Sequence, residues 1–440
     1  MIVGLIKSIN ERFLLEGLHQ RILRGATWSA IATIASRGSL LVALFLTARI
    51  LGAEDYGAYA IIQSSIAFFD VFAAAGMGIT ATKHVAEYRN KDKEKTGEII
   101  SLTISVAITL GCIFSIVLGI FAESIARDIL SNSNLVEPLY IGAVILFFNA
   151  LIAALNGAII GFSAFKEMAK ANMFSGLVTV VAIPLGALNY GVEGALWGLL
   201  VSTILLASMS LYVVIKKCRN ESVKFSYKLN KENWRLLYRF SLPAMLASIL
   251  VAPVIWIGNT ILVNQPNGYQ EMGVFSAANQ WFAIILFLPA MVTNSLMPVF
   301  SEFSGIKKYD ELKRGMLIGL KLNMLTVVPF SLTVALLSPM IMEFYGKDFA
   351  DRWDILIVVC LTAVAASTSN LLGNVFVSNN KIATHLFTNL FWAIIFLIFV
   401  LVLIKQINGA MAMALAMLFA FFLKTVVVFF LSNAFIRKVS

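Results

Sequence analysis

Four ionisable side chains fall inside long apolar stretches of this 440-residue sequence, and they are its leading candidates for chemistry. Arg37 and Asp70 lie near the middle of two successive apolar runs, Lys321 lies a few residues inside a later run, and Lys424 lies deeper in the last one. A charge is costly in hydrocarbon unless it faces protein or water, so such residues usually serve a binding site or a pathway. The three cations suit an anion such as a phosphate, and the carboxylate suits a proton or a sodium ion.

Each of these charges also has a structural interpretation. An ion pair with Asp70, or hydrogen bonds to backbone carbonyls, would account for Arg37 without any function. Lys321 is close enough to the membrane surface for its flexible side chain to reach water. Lys424 is too deep for that, so we expect it in a cavity. We expect the three cations to line a passage for an anionic cargo and Asp70 to couple an ion.

Amide and aromatic side chains recur at helical spacing in the second half of the chain. Amides beside aromatic rings suit the hydroxyls and ring faces of sugars. The alternative for any single asparagine is a hydrogen bond between helices, which contributes only about 0.6–2 kcal/mol. The residues expected to bind cargo, besides the cations, are Trp256, Asn259, Gln280, Asn294, Asn370, Asn374, Asn389 and Trp392.

The composition indicates a membrane protein with many spans. Hydrophobic residues make up 59% of the chain and charged residues only 13%, far below the roughly 25% typical of a soluble domain. A spanning helix needs about 20 apolar residues. Twelve spans are predicted, at residues 26–50, 57–82, 98–122, 138–160, 171–189, 194–215, 236–263, 273–299, 315–338, 354–377, 385–404 and 409–432.

The placement of the basic residues predicts the orientation. Most of the 34 lysines and arginines fall in alternate loops, on the side that holds both termini, which are therefore expected in the cytoplasm. The formal net charge of +10 thus reflects membrane topology and gives no reason to expect a nucleic-acid partner. Residues 1–25 form an amphipathic pattern that is expected to lie in the cytoplasmic interface of the plasma (inner) membrane.

Two halves of the chain repeat each other. Gly57 matches Gly273 and Gly157 matches Gly373 in a common register, which indicates an internal duplication. The predicted organisation is a six-helix bundle at 26–215, a basic cytoplasmic linker at 216–235 and a second bundle at 236–440. Because each copy has an even number of spans, the copies enter the membrane in the same direction, as in transporters whose bundles rock about a central site.

Nothing in the sequence favours a metal site, a cofactor or catalysis. The three cysteines are scattered and there are only three histidines, so neither a disulfide framework nor a metal cage is expected. No nucleophile–base arrangement or phosphate-binding loop is visible. A membrane enzyme acting on glycans would want a larger outer loop than the one at 338–353, so we predict that the chain is not an enzyme.

Three short motifs carry a family resemblance. The string ARILGAEDYGAYA at residues 48–60, the string FYGKDF at 344–349, and AGMG at 75–78 ahead of HVAEY at 84–88 resemble segments of Wzx-type polysaccharide flippases. These belong to the multidrug/oligosaccharidyl-lipid/polysaccharide exporter superfamily.

The resemblance implies an all-α polytopic protein with about twelve transmembrane helices in two pseudo-symmetric six-helix bundles, as in MATE transporters. It implies a cargo of the undecaprenyl-pyrophosphate-linked oligosaccharide type, membrane lipids as surroundings, coupling to H⁺ or Na⁺, and other polysaccharide assembly proteins as partners. The alternative is an H⁺- or Na⁺-coupled exporter of drugs or metabolites from the multidrug branch.

Overall fold

The computed structural model describes residues 2–226, 249–306, 308–379 and 381–439. Part of the predicted linker at 216–235 and the start of the predicted seventh span lie outside these residues. So do the side chains of residues 1–27, on which the predicted amphipathic segment rests, and the side chain of Asn294.

The described chain is helical, and no β-strand occurs in it. We number the helices in chain order. They are α1 (Ile2–Ala74), α2 (Met77–Tyr88), α3 (Lys93–Ser124), α4 (Val136–Gly161), α5 (Phe165–Asn220), α6 (Val251–Val263), α7 (Gly268–Ile285), α8 (Phe287–Gly305), α9 (Tyr309–Leu336), α10 (Ser338–Tyr345), α11 (Lys347–Ala350), α12 (Trp353–Ser378), α13 (Ile382–Leu403) and α14 (Gly409–Val439).

These helices account for the twelve predicted spans. Within the described residues, nine helical stretches are long and apolar enough to cross a membrane. Two of them, 36–74 and 165–220, contain a reversal and supply two spans each, and the shorter apolar helix α6 belongs to the seventh span. The chain is therefore a multi-pass membrane protein. α5 continues to Asn220, beyond the point at which the linker was predicted to begin.

The two reversals occur at glycines, as the sequence predicts for the first. Gly52 has φ 75° and ψ 177° inside α1, and Gly191 has φ 57° and ψ −135° inside α5. A positive φ is strained for residues with a Cβ atom, which is why glycine is found at such positions. We refer to the legs of α5 before Tyr190 and after Gly191 as its first and second legs.

Two predicted spans are interrupted, which the apolar pattern did not indicate. The second span breaks at Ala75 and Gly76, whose φ angles of 42° and 70° end α1 and allow α2 to begin. The eighth span bends at Leu286, between α7 and α8. Pro289 has no N–H to donate to the carbonyl of Ile285, which explains why a regular helix does not continue there.

At one end of the molecule the two halves share a core. This Gly52 end comprises the turns at 52, 130–135, 190–191, 264–267, 337–353 and 404–408. Tyr56 and Tyr59 of the first half are buried in one cluster with Phe275 and Tyr345 of the second. The two repeat-related glycines also meet there, because a Cβ atom on Gly57 or on Gly273 would overlap the facing backbone.

At the other end each half has a core of its own. In the first half, Val85, Ile99, Phe162 and Val214 belong to a cluster that contains no described residue of the second half. In the second half, a separate cluster is formed by Phe300, Leu312, Met316, Leu372, Val375, Phe376 and Val428. The halves therefore separate with increasing distance from the Gly52 end, and the predicted fold class of two helical bundles is confirmed.

Candidate functional site

A cleft of about 370 Å³ lies between the two halves and contains Arg37. Arg37 comes from α1, and the remaining wall comes from α7, α8 and α12 of the second half. The polar members are Thr293, Ser367, Asn370 and Asn374. The structure thus brings together three of the residues that the sequence singled out, namely Arg37 and the two asparagines.

The guanidinium of Arg37 keeps most of its hydrogen-bonding capacity. Its Nη1 donates one bond of 3.3 Å to the carbonyl of Ala283, and its Cζ lies 5.9 Å from the ring centroid of Phe287. Because a guanidinium has five N–H groups, most of its donors remain available to a ligand. The side chain is exposed, so an incoming anion can reach it.

Asp70 does not pair with Arg37. No ion pair joins them in the described part of the chain, and of the structural alternatives for Arg37 only the carbonyl contact is found. Asp70 is partly buried near the end of α1, and its Oδ1 is buried without a hydrogen-bond partner among the described residues. A buried carboxylate oxygen that lacks a partner is costly, and a bound proton or cation would remove that cost.

Lys424 and Lys321 lie outside the cleft. Lys424 is only 6% exposed, and its Nζ donates a 2.8 Å hydrogen bond to Oδ1 of Asn389. It also lies 5.7 Å from the ring centroid of Phe421, whose ring is 5.9 Å from that of Phe282 in the cleft wall. One aromatic ring therefore separates Lys424 from the cleft. Lys321 is exposed on α9 and is not part of the cleft wall.

Three other predicted cargo-binding residues hold helices together instead of lining the cleft. Gln280 receives a bond from the Tyr345 hydroxyl at 3.2 Å, and its amide nitrogen donates to the Tyr56 hydroxyl. Trp256 Nε1 donates to Ser65 Oγ at 2.9 Å. In the same way, Asn259 Nδ2 donates to Ser64 Oγ at 2.9 Å. The contact of Asn259 is a hydrogen bond between helices, which is the alternative given above for a single asparagine. The cargo-binding role of all three residues stays a prediction.

Trp392 is buried on α13, where its ring stacks on Phe396 with centroids 5.6 Å apart. Its ring is also 5.3 Å from that of Phe421. Trp392 therefore belongs to the layer behind the cleft that also contains Lys424. The cargo-binding role of both residues stays a prediction.

A set of polar contacts that the sequence did not reveal lies at the Gly52 end. The motif at 344–349 meets the motif at 48–60: Asp348 Oδ2 accepts a 3.2 Å bond from the backbone N–H of Ala53, just after the reversal at Gly52. A carboxylate at the start of a helix also interacts favourably with the helix dipole. The two resemblance motifs were quoted separately, and only the folded chain brings them into contact.

A second contact joins three segments of the second half at the same end. Arg352 donates two parallel bonds to Glu271, of 2.8 and 2.9 Å, and Glu271 also accepts a 2.8 Å bond from the N–H of Ala410. The hydrogen bonds to Glu271 raise the pKa of Arg352. In the sequence, Glu271 stands out as an isolated acidic residue just before the eighth predicted span. Its partners are 81 and 139 residues away, so the sequence does not identify them.

The comparisons with known proteins identify the family. The model for "Polysaccharide biosynthesis protein" matches residues 22–304, and the MatE model matches residues 243–403. The first match spans more than half of the chain. The chain belongs to the polysaccharide biosynthesis protein family.

Individual members of this family are distant in sequence. The chain is 23% identical over 275 residues to the EPS I polysaccharide export inner membrane protein EpsE of Ralstonia nicotianae, covering 62% of each chain. It is 24% identical over 335 residues to the lipid III flippase of Escherichia coli, covering 72% of this chain and 75% of that one. The chain thus spans less than two thirds of the length of EpsE.

The fold is also that of a solved transporter. A multidrug resistance MATE family transporter of the MOP superfamily, in an inward-facing conformation, superposes with a TM-score of 0.83. The match is 15% identical and covers 94% of this chain and 98% of that chain. This family member therefore has the MATE fold that the sequence resemblance implied.

Proposed function

We propose that this family member is a flippase that moves an undecaprenyl-pyrophosphate-linked oligosaccharide from the cytoplasmic to the outer leaflet of the inner membrane. The observation that carries the proposal is the cleft between the halves, in which Arg37 offers free donors beside neutral amides and hydroxyls. The names of the relatives EpsE and lipid III flippase support it. Both termini would lie in the cytoplasm, which makes the Gly52 end the outer end.

The chemistry of the cleft fits an anionic sugar headgroup. Dragging a diphosphate through hydrocarbon is prohibitive because the charges lose their hydration. A guanidinium matches phosphate oxygens with pairs of parallel hydrogen bonds and replaces part of that hydration. Asn370 and Asn374 would bind sugar hydroxyls, while the lipid tail stays in the bilayer. This transport requires no bond to be made or broken in the cargo, so the proposal includes no catalysis.

The mechanism is alternating access between the two ends. The headgroup enters while the halves are joined at the Gly52 end and apart at the other, as in this structure. The contacts at Asp348 and around Gln280 must then break, so that the halves separate at the outer end and release the headgroup. We expect the cost of breaking these contacts to be offset by closure of the opposite end and by ion binding.

Asp70 is the residue we propose for ion coupling, with H⁺ or Na⁺ as the ion. Its partnerless carboxylate oxygen is the supporting observation. Replacing Asp70 with Asn keeps the size of the side chain but removes the charge. We expect Asp70→Asn to transport without dependence on an imposed ion gradient, and an unchanged dependence would assign Asp70 to structure alone.

The second candidate function is export of drugs or metabolites. The match of residues 243–403 to the MatE model favours it. The net positive cleft disfavours organic cations, which bind acidic and aromatic surroundings. Energised vesicles containing the protein would expel a cationic dye under this second function and would not do so under the first.

The decisive experiment measures flipping in proteoliposomes. A short polyprenyl diphosphate carrying a neutral oligosaccharide is supplied to one leaflet, and binding of an impermeant lectin reports the sugar on the other side. We expect Arg37→Gln to lower the rate roughly tenfold or more, because hydrogen bonds to charged groups contribute about 1.5–3 kcal/mol. The matched control is Lys321→Gln, which removes a cation outside the cleft. Equal rates for the two variants would contradict the proposal.

A further inference from the structure

A second cavity, of about 180 Å³, lies inside the first half. It is surrounded by α1, α4 and both legs of α5. Its polar lining includes Ser36, Asn149, Asn172, Thr179, Ser202 and Thr203. The space corresponds to about six water molecules, or to one sugar ring.

The lining of this cavity combines polar groups with apolar side chains such as Leu40 and Ile152. Among the described residues, no ionisable side chain takes part in it, in contrast to the cleft that contains Arg37. A cavity of this kind offers little to an inorganic anion or cation, each of which needs charged or many oxygen ligands. A neutral ligand rich in hydroxyls is the class that fits.

The hydrogen-bonding capacity of the lining supports the same class. The hydroxyls of Thr179 and Thr203 donate to backbone carbonyls within their own helix, at 2.9 and 2.8 Å, so they present acceptor lone pairs to the cavity. Asn149 and Asn172 make no hydrogen bond in the described part of the chain, and each has two donors and an acceptor to offer. A sugar hydroxyl both donates and accepts, so it can use both kinds of group.

The position of the cavity relates it to the cleft. Ser36 lines the cavity and Arg37 lines the cleft, and neighbouring residues of a helix point about 100° apart. The two sites therefore lie on two sides of one turn of α1. A headgroup whose diphosphate is bound by Arg37 carries its first sugar within reach of that turn.

We infer that this cavity is a subsite for an uncharged sugar ring of the cargo, close to the diphosphate. The inference rests on the proposed flippase function and deepens it, since it assigns phosphate and sugar to different walls. Among the described residues of the first half, Arg37 alone lines the cleft. The subsite explains why this half nevertheless has polar residues on four neighbouring helical segments.

The test compares two probes on the purified full-length protein. One is farnesyl diphosphate, and the other is the same lipid diphosphate carrying one N-acetylglucosamine. We expect the wild-type protein to bind the sugar-bearing probe about tenfold more tightly. The double variant Asn149→Leu/Asn172→Leu should bind both probes equally, at the affinity of the bare diphosphate, whereas Arg37→Gln should weaken both.

A second variant guards against misfolding of the double variant. Ser36→Leu adds bulk to the cavity wall and leaves both amides in place, so it should likewise remove the preference for the sugar-bearing probe. The matched control is Asn189→Leu, because Asn189 is exposed at the Gly52 end and bonds only to the Leu185 carbonyl among the described contacts.

The outcomes separate the two proposals. The sugar subsite is overturned if the wild-type protein shows no preference, or if its preference survives in both cavity variants. In either case, diphosphate binding that depends on Arg37 would still support the flippase proposal. If the wild-type protein binds neither probe, both proposals fail. Loss of the preference in the cavity variants, with Asn189→Leu unchanged, supports the subsite.

Discussion

The two halves pack closely at one end of the molecule and are separate at the other. At the Gly52 end, backbones approach at Gly57 and Gly273, aromatic rings are buried together, and Asp348 of one half bonds to Ala53 of the other. Towards the other end, each half has its own core and Arg37 offers unused donors in a cleft. Specific contacts thus close the Gly52 end, whereas a charged residue and an open cleft lie between the halves towards the other end.

The difference indicates where stability and function reside. At the Gly52 end, Asp348 bonds to Ala53 and Gln280 bonds to Tyr56 across the boundary, so these contacts stabilise one arrangement of the halves. In the cleft, Arg37 makes one hydrogen bond to a described residue and keeps its other donors open to a ligand. Substitutions at the closed end should therefore change stability and opening, whereas substitutions in the cleft should change binding with little effect on stability.

The largest effect is expected from Gly273→Ala. Its Cβ atom would overlap the rigid backbone carbonyl of Ala53, so the halves could no longer approach. Overpacking typically costs about 1–3 kcal/mol and occasionally more, and the rigid neighbour puts this site at about 3 kcal/mol or above. We expect a clearly lower melting temperature in detergent. The control is Gly119→Ala, because a Cβ atom there meets nothing within 4 Å and alanine favours the helix. Equal melting temperatures for both variants would refute close packing of the halves at this end.

A somewhat smaller effect is expected from breaking the pair of Glu271 and Arg352. Both side chains are mostly buried, with 15% exposure for Glu271 and 22% for Arg352. Leaving either one unpaired should therefore lower the stability of the protein by about 1.5–3 kcal/mol. We expect Arg352→Gln and Glu271→Gln each to lower the free energy of unfolding. The double variant should cost less than the sum of the two. Strict additivity would mean that the two residues do not interact in the membrane-embedded protein.

The smallest effect is expected from Asp348→Ala. Loss of a carboxylate that caps a helix costs about 1 kcal/mol. The contact joins the halves, so we expect opening of the Gly52 end to become more frequent, with faster thiol labelling of a cysteine at position 56. The exposed neighbour Lys347 gives the control, Lys347→Ala. Identical labelling rates would show that the Asp348 contact does not restrain the opening.

The local pattern of the sequence predicted much of the fold. Apolar runs give the spans, since only a helix satisfies its own backbone in hydrocarbon, and Gly52 marks a reversal because it tolerates a positive φ. The break at Ala75–Gly76 was not predicted, and the one at Leu286 does not show in the apolar pattern, although Pro289 in that span permits a bend. Both breaks interrupt continuous apolar runs. The first occurs where Ala75 and Gly76 have positive φ angles, and the second lies beside Pro289.

The candidate site was predicted in part. Arg37, Asn370 and Asn374 do line one cleft, because a deep charge and helical spacing restrict where side chains can point. Gln280, Trp256 and Asn259 have partners at least 65 residues away, which spacing along a helix cannot reveal. The neutral cavity of the first half was missed for the same reason, since four helical segments must pack before its polar residues face each other.

Distances between pairs of spin labels show whether the two ends of the molecule open in turn. One pair, at positions 54 and 347, crosses the Gly52 end; the other, at positions 91 and 308, crosses the opposite end. Addition of a sugar-bearing polyprenyl diphosphate together with an ion gradient should lengthen the first distance in a fraction of molecules and shorten the second in the same fraction. If both distances stay fixed, or both change in the same direction, the account is contradicted.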